Sequence, residues 1–138
     1  MRFMGTLKGW ERAIERAEQA LAEKLFGSDA MEADVVEALI RTCDEQAVVC
    51  SSHRIVVPNV YTLELPPPVY ALIGPHLTIV GQELIDLLER HGEGKGYEWA
   101  GPLTVRLAAA EHVPNGRYQV RCAPMAHITS APLSAPDA

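Results

Sequence analysis

The run from Ile55 to Leu65 constrains the fold of this chain more than any other stretch. Ile55, Val56 and Val57 are β-branched, which favours extended backbone. Val60 to Leu65 then alternates, with Tyr61, Leu63 and Leu65 on one face and Val60, Thr62 and Glu64 on the other. A strand with one apolar face has to lay that face on other elements and leave the second face open. Pro58 cannot donate to a ladder, so it marks an edge or a bend. Pro66, Pro67 and Pro68 end the strand and open a short turn of helix.

Helical periodicity surrounds that run. Trp10, Ile14, Ala17, Leu21 and Leu25 form one stripe across residues 8–26, opposite a face of mixed charge, and Gly27 follows as a stop. Mixed charge predicts a solvated outer face and not a membrane-surface helix. Ser28 and Asp29 supply an N-cap, with Glu32 as capping-box partner, for a second helix over about 30–46. Its inward positions are Val36, Leu39, Ile40, Cys43 and Ala47. Between 28 and 47, six acids (Asp29, Glu32, Asp34, Glu37, Asp44, Glu45) face one base (Arg41), a net of -5 that reads as a solvated acidic face. After Gly74-Pro75, a third helix over 76–91 buries Leu77, Val80, Leu84, Leu87 and Leu88. His91 closes it, where a cationic tip suits the helix dipole. Gly92, Gly94 and Gly96 then read as a flexible connection; they fit neither the P-loop nor the dinucleotide pattern.

Two more strands follow. Leu103, Val105 and Leu107 alternate with Thr104 and Arg106; Tyr118, Val120 and Cys122 alternate with Gln119 and Arg121. Pro114-Asn115-Gly116 between them is a strong turn signal. The order predicts an α+β fold: a small, largely antiparallel sheet with helices packed on one face. Residues 1–122 form the domain, and the Ala- and Pro-rich 123–138 form a tail or linker.

Composition narrows the function classes. A net charge of -6 argues against nucleic acid as the main partner, since phosphate neutralisation needs a basic footprint. No uninterrupted apolar run approaches the roughly 20 residues that span a bilayer, and the amino terminus does not read as a signal peptide. These features predict a cytoplasmic protein with no direct membrane insertion.

The chemistry-bearing residues do not assemble into an active site on sequence grounds. Cys43, Cys50 and Cys122 form no CxxC pair, and Cys43, Cys50 and His53 match no common zinc spacing. No two of His53, His76, His91, His112 and His127 lie at helical metal spacing. Ser51, Ser52 and His53 lack a nucleophile elbow. Glu98 and Glu111 flank a strand with nothing to pair them. The expectation is a non-enzymatic domain without catalytic residues, cofactor or metal.

What remains is surface. The polar positions of the last two strands place Arg106, Gln119 and Arg121 beside Thr104, with Arg117 close by. On an otherwise acidic protein this is a candidate partner surface, because arginine is enriched at interfaces and suits carboxylate or phosphate groups. Ordinary polar alternation on an open sheet produces the same pattern.

Two segments carry a family resemblance. Ile55-Val56-Val57-Pro58-Asn59-Val60-Tyr61-Thr62-Leu63-Glu64-Leu65 resembles the signature strand of the FhaA N-terminal domain family. Gly96-Tyr97-Glu98-Trp99-Ala100-Gly101-Pro102-Leu103-Thr104-Val105-Arg106-Leu107 resembles its second motif, and Gly116 to Arg121 its closing strand. The resemblance spans about residues 5–122. It implies a protein-interaction domain of an actinobacterial scaffold in Ser/Thr kinase signalling, linked to cell-wall synthesis and division, whose partner is a kinase-pathway or cell-wall protein. In such proteins a forkhead-associated domain follows a long linker. This sequence stops after a short Ala-Pro stretch, so phosphopeptide recognition is not carried over. Pro58 and Asn59 read as structural. A reading from another class is a KH-like single-stranded RNA-binding module, but no GxxG loop joins two helices and the charge has the wrong sign.

Overall fold

The computed structural model describes residues 30–125. The stripe over 8–26, the N-cap at Ser28 and Asp29, and most of the Ala-Pro tail lie outside the described residues. Within them the order is α1 (Ala30–Glu45), β1 (Val48–Ser51), β2 (Arg54–Val57), β3 (Val60–Leu65), α2 (Pro67–Ile73), a 3-10 turn (Gly74–His76), α3 (Leu77–Lys95), β4 (Glu98–Trp99), β5 (Thr104–Ala109) and β6 (Gln119–Cys122). The α+β class is as expected.

The strands form two three-stranded sheets, β1-β2-β4 and β5-β3-β6, and the Ile55–Leu65 run supplies the central strand of both. Pro58 and Asn59 separate its two halves, so the proline marks a bend between sheets. The pairing is mixed. β1 with β2 and β3 with β6 are antiparallel; β2 with β4 and β3 with β5 are parallel. The parallel pairs follow from the route of the chain, which leaves β3, crosses through α2 and α3, and re-enters alongside. The turn at Pro114–Gly116 therefore joins two strands that flank β3 on opposite sides.

The breaks in the two strand runs face each other. Ala100 N donates to Val57 O (3.0 Å) on one side and Thr104 N to Asn59 O (2.7 Å) on the other. The Asn59 side-chain amide donates to Pro102 O at 3.0 Å. A Cβ on Gly101 would stand 2.8 Å from that amide nitrogen, so only glycine lets the chain pass Asn59 this closely.

Tyr61, Leu63 and Leu65 are fully buried and form the sheet side of the core. Against them lie Val35, Val36, Leu39 and Cys43 of α1, Val69 and Ile73 of α2, and Val80, Leu84 and Leu88 of α3. Each of these larger aliphatic side chains contributes about 1.5–3 kcal/mol by burial. Of the inward positions expected on α1, Val36, Leu39 and Cys43 are buried, and Ile40 and Ala47 pack at the margin. By length and composition the helical run Pro67–Lys95 could cross a membrane. Here it breaks at the 3-10 turn and its apolar side chains fill this core.

The third helix does not stop at His91. It continues through Gly92 and Gly94 to Lys95, so these glycines are not a flexible connection. Gly96, at φ 73°, ends it in a Schellman arrangement, with Tyr97 N donating to Gly92 O (2.9 Å) and Gly96 N to Glu93 O (3.2 Å). Position 92 is a glycine because of its neighbour: a Cβ there would lie 2.7 Å from the indole of Trp99.

Candidate interaction surface

Period-two alternation sends Thr62 to the face opposite the core, and the register decides what stands beside it. Thr62 is directly opposite Arg106 on β5 and Arg121 on β6. The neighbouring rungs pair Val60 with Thr104, and Glu64 with Ala108 and Gln119. The structure thus brings Arg106, Gln119 and Arg121 onto one face, as the alternation predicts. The described helices lie on the other face: α3 approaches β5 at Gly81, where a Cβ would come within 3.5 Å of the Val105 carbonyl oxygen.

The two arginines differ in their surroundings. Arg121 Nε donates to Glu64 Oε1 at 3.0 Å, yet the Arg121 side chain keeps 59% exposure. Arg106 is exposed and has no ion-pair partner among the described residues. Two inter-strand spacings separate their backbones, about 10 Å. Arg117 is not part of this rung. The Asn115 carboxamide oxygen accepts from Arg117 N (2.8 Å) and Tyr118 N (2.9 Å), which shapes the turn into β6. The Arg117 guanidinium lies 3.4 Å from Asp34 of α1 and 6.0 Å from the Tyr118 ring centroid, on the helix side.

Other polar groups are tied into the fold. Glu98, for which the sequence shows no partner, receives a two-point contact from Arg54: Nε at 2.9 Å and Nη2 at 2.7 Å. That contact, more than offsetting desolvation, holds its carboxyl below the usual range. His91 does not act at a helix end. It lies within α3, and its Nε2 is 2.8 Å from Asp44 Oδ1, which also accepts from the Tyr97 hydroxyl at 2.8 Å. Burial pushes the Asp44 carboxyl up, but the two hydrogen bonds outweigh it and hold it below the ordinary value. Burial and donation to Asp44 push the Tyr97 phenol up to about 12. The acidic helix is therefore not purely a solvated face: Asp34 and Asp44 both join it to other elements. Partners 44 and 53 residues away, as for Glu98–Arg54 and Asp44–Tyr97, leave no local signal.

No cluster of three metal-binding side chains occurs among the described residues. Cys43 is in the core, Cys50 in β1, and His53 in the exposed β1–β2 turn, where its N–H reaches Ser51 Oγ at 3.3 Å. Burial pushes the Cys43 and Cys122 thiols and the Tyr61 phenol up, so these groups stay protonated near neutrality. The Tyr61 hydroxyl has no hydrogen-bond partner of good geometry; the Cys43 thiol is its polar neighbour. A shallow groove of about 320 Å³ on α1 is lined by Ala33, Asp34, Glu37 and Ile40.

Comparison with known proteins agrees with this architecture. The family described as "FhaA, N-terminal domain" matches residues 7–121. A solved structure described as "Rv0020c_Nter structure" superposes with a TM-score of 0.63 at 18% identity, covering 77% of this chain and 80% of that one, which is a likeness of fold. No curated protein sequence matches the chain.

Proposed function

The chain belongs to the FhaA N-terminal domain family, and from that membership we propose that it is a non-enzymatic, cytoplasmic protein-interaction domain. Its setting is a Ser/Thr kinase signalling scaffold linked to cell-wall synthesis or division, and its partner is a protein of that pathway. The observation that carries this reading is the outer face of the β5-β3-β6 sheet. On a chain of net charge -6, Arg106 and Arg121 stand on either side of Thr62 on a surface that the described helices leave open. Arginines on an exposed sheet face suit recognition of a protein surface. Affinity capture from an actinobacterial lysate tests it. The wild-type domain is expected to retain a defined set of kinase-pathway or cell-wall proteins that the Arg106→Glu, Arg121→Glu double variant loses. Equal recovery by a folded double variant overturns the assignment of this face.

A further inference from the structure

The rungs of the open sheet face specify more than an arginine-bearing surface. The central rung holds Arg106, Thr62 and Arg121, with no acid on it. Around it, Val60, Thr104 and Ala108 are small, and Ala123 extends the Val60 rung through its N–H bond to Val60 O (2.9 Å). Long side chains on this platform are therefore the two arginines and, one rung away, Glu64 and Gln119. A ligand can lie close to the sheet between the guanidinium groups.

Resting on the interaction reading above, we propose that this platform binds an acidic, extended protein segment. A carboxylate of that segment is held between Arg106 and Arg121, above the Thr62 hydroxyl. Charge complementarity argues for this occupant: on a chain of net charge -6 the rung carries two positive charges, and Glu64 on the next rung offsets only that of Arg121. Arginine's planar fork matches a carboxylate, and a charge-assisted pair is about twice as strong as a neutral one. With Glu64 already beside Arg121, the pair neutralises about one incoming anionic group, which suits a carboxylate of an acidic peptide; a nucleic acid backbone presents many more. Glu64 already shows the chemistry in place. Its carboxylate engages Arg121 through Nε, leaving the outer Nη groups of a 59% exposed side chain for a second acceptor. Glu64 is thus an internal competitor, drawing Arg121 toward itself and repelling an incoming acid.

Fluorescence anisotropy with a labelled peptide of alternating Glu and Ser, beside its Gln-Ser counterpart, tests the inference. The variants are Arg106→Ala, Arg121→Ala, Arg106→Lys and Glu64→Gln, each checked for an unchanged circular dichroism spectrum. The wild-type domain is expected to bind the Glu peptide about tenfold more tightly than the Gln peptide, with the difference shrinking at high salt. Each Arg→Ala change lowers affinity about five- to tenfold, Arg106→Lys restores only part, and Glu64→Gln raises it about two- to threefold. Equal binding of the two peptides, indifference to the arginine variants, or tighter binding of an oligouridylate overturns the proposal. If the double glutamate variant loses its captured partners while the Glu peptide does not bind, this inference fails and the interaction reading stands. If neither responds, both fail.

Discussion

Asn59 and Pro102, 43 residues apart, are joined by a 3.0 Å hydrogen bond from the asparagine side-chain amide to the proline carbonyl. The bond closes the gap where both strand runs break. It connects the two segments that identify the family, and it gives Asn59 a structural task, in line with the reading of Pro58 and Asn59 from sequence. Gly101 belongs to the same contact, since its missing side chain is what leaves room for the Asn59 amide.

Asn59→Ala should lower stability by about 1 kcal/mol, the usual worth of one such bond. Gly101→Ala should destabilise through the same contact, because the new Cβ displaces the Asn59 amide. The two changes together should therefore cost less than their sum. Urea midpoints of the four proteins in the cycle, at constant m-value, give the answer. Strict additivity would show that the two residues act separately.

Gly92→Ala and Gly94→Ala should have opposite signs. Both positions are inside α3, where alanine normally gains about 1 kcal/mol over glycine. Nothing lies within 4 Å of a Cβ at Gly94, so that variant should melt higher. At Gly92 the Cβ would meet Trp99 at 2.7 Å, and the forced movement of a packed indole should outweigh the helical gain. Thermal melts of the two single variants distinguish these outcomes, and a stabilised Gly92→Ala would contradict the contact.

The Asp44 contact should make part of the stability acid-sensitive. Its folded-state carboxyl is held below the ordinary value, so its stabilising increment is complete above the unfolded pKa of about 3.9 and is lost as pH falls through the folded value. The Asp44 side chain is 37% exposed, so solvent screening keeps the increment small. Chemical denaturation of wild type and Asp44→Asn between about pH 7 and pH 2 should show the gap between them closing in acid. A gap that stays constant through that window would remove Asp44 as its source.

Tyr97→Phe should cost about 1 kcal/mol at neutral pH by removing one of the two bonds to Asp44. With one donor fewer, the Asp44 carboxyl should titrate closer to its ordinary value, visible in the side-chain carbon shifts of Asp44 followed by NMR through the acid range. An unchanged titration would leave His91 as the sole effective partner.

Much of this architecture was legible in residue order. Alternation over Val60–Leu65 places Tyr61, Leu63 and Leu65 in the core, and the same rule applied to Thr104–Leu107 and Gln119–Cys122 puts Arg106 and Arg121 on the opposite face. What could not be read was set by distant partners. Glycine is a poor helix former in isolation, so Gly92 and Gly94 suggest an end to α3; the helix runs on to Lys95, and the indole of Trp99, which needs an empty space at Gly92, explains the glycine there. Arg117 shows the limit of a surface inferred from sequence proximity. It is two residues from Gln119, but the turn built on Asn115 directs it to Asp34 and the helix side. The parallel pairing of β3 with β5 has the same origin, because the direction of re-entry depends on the path of two helices and not on the strands themselves.

The facing breaks have a further consequence for how the bend is encoded. Val56 stands opposite Glu98, 42 positions later, whereas Val60 stands opposite Thr104, 44 positions later. One track of the chain takes two more residues around the corner than the other, as the outer lane of a curve is longer than the inner. The junction between the sheets is thus written partly as a difference in path length. Substitutions at the corner can loosen it, but an insertion or deletion on one track alone changes the curve itself, and an odd one turns every downstream side chain of β5 to the wrong face.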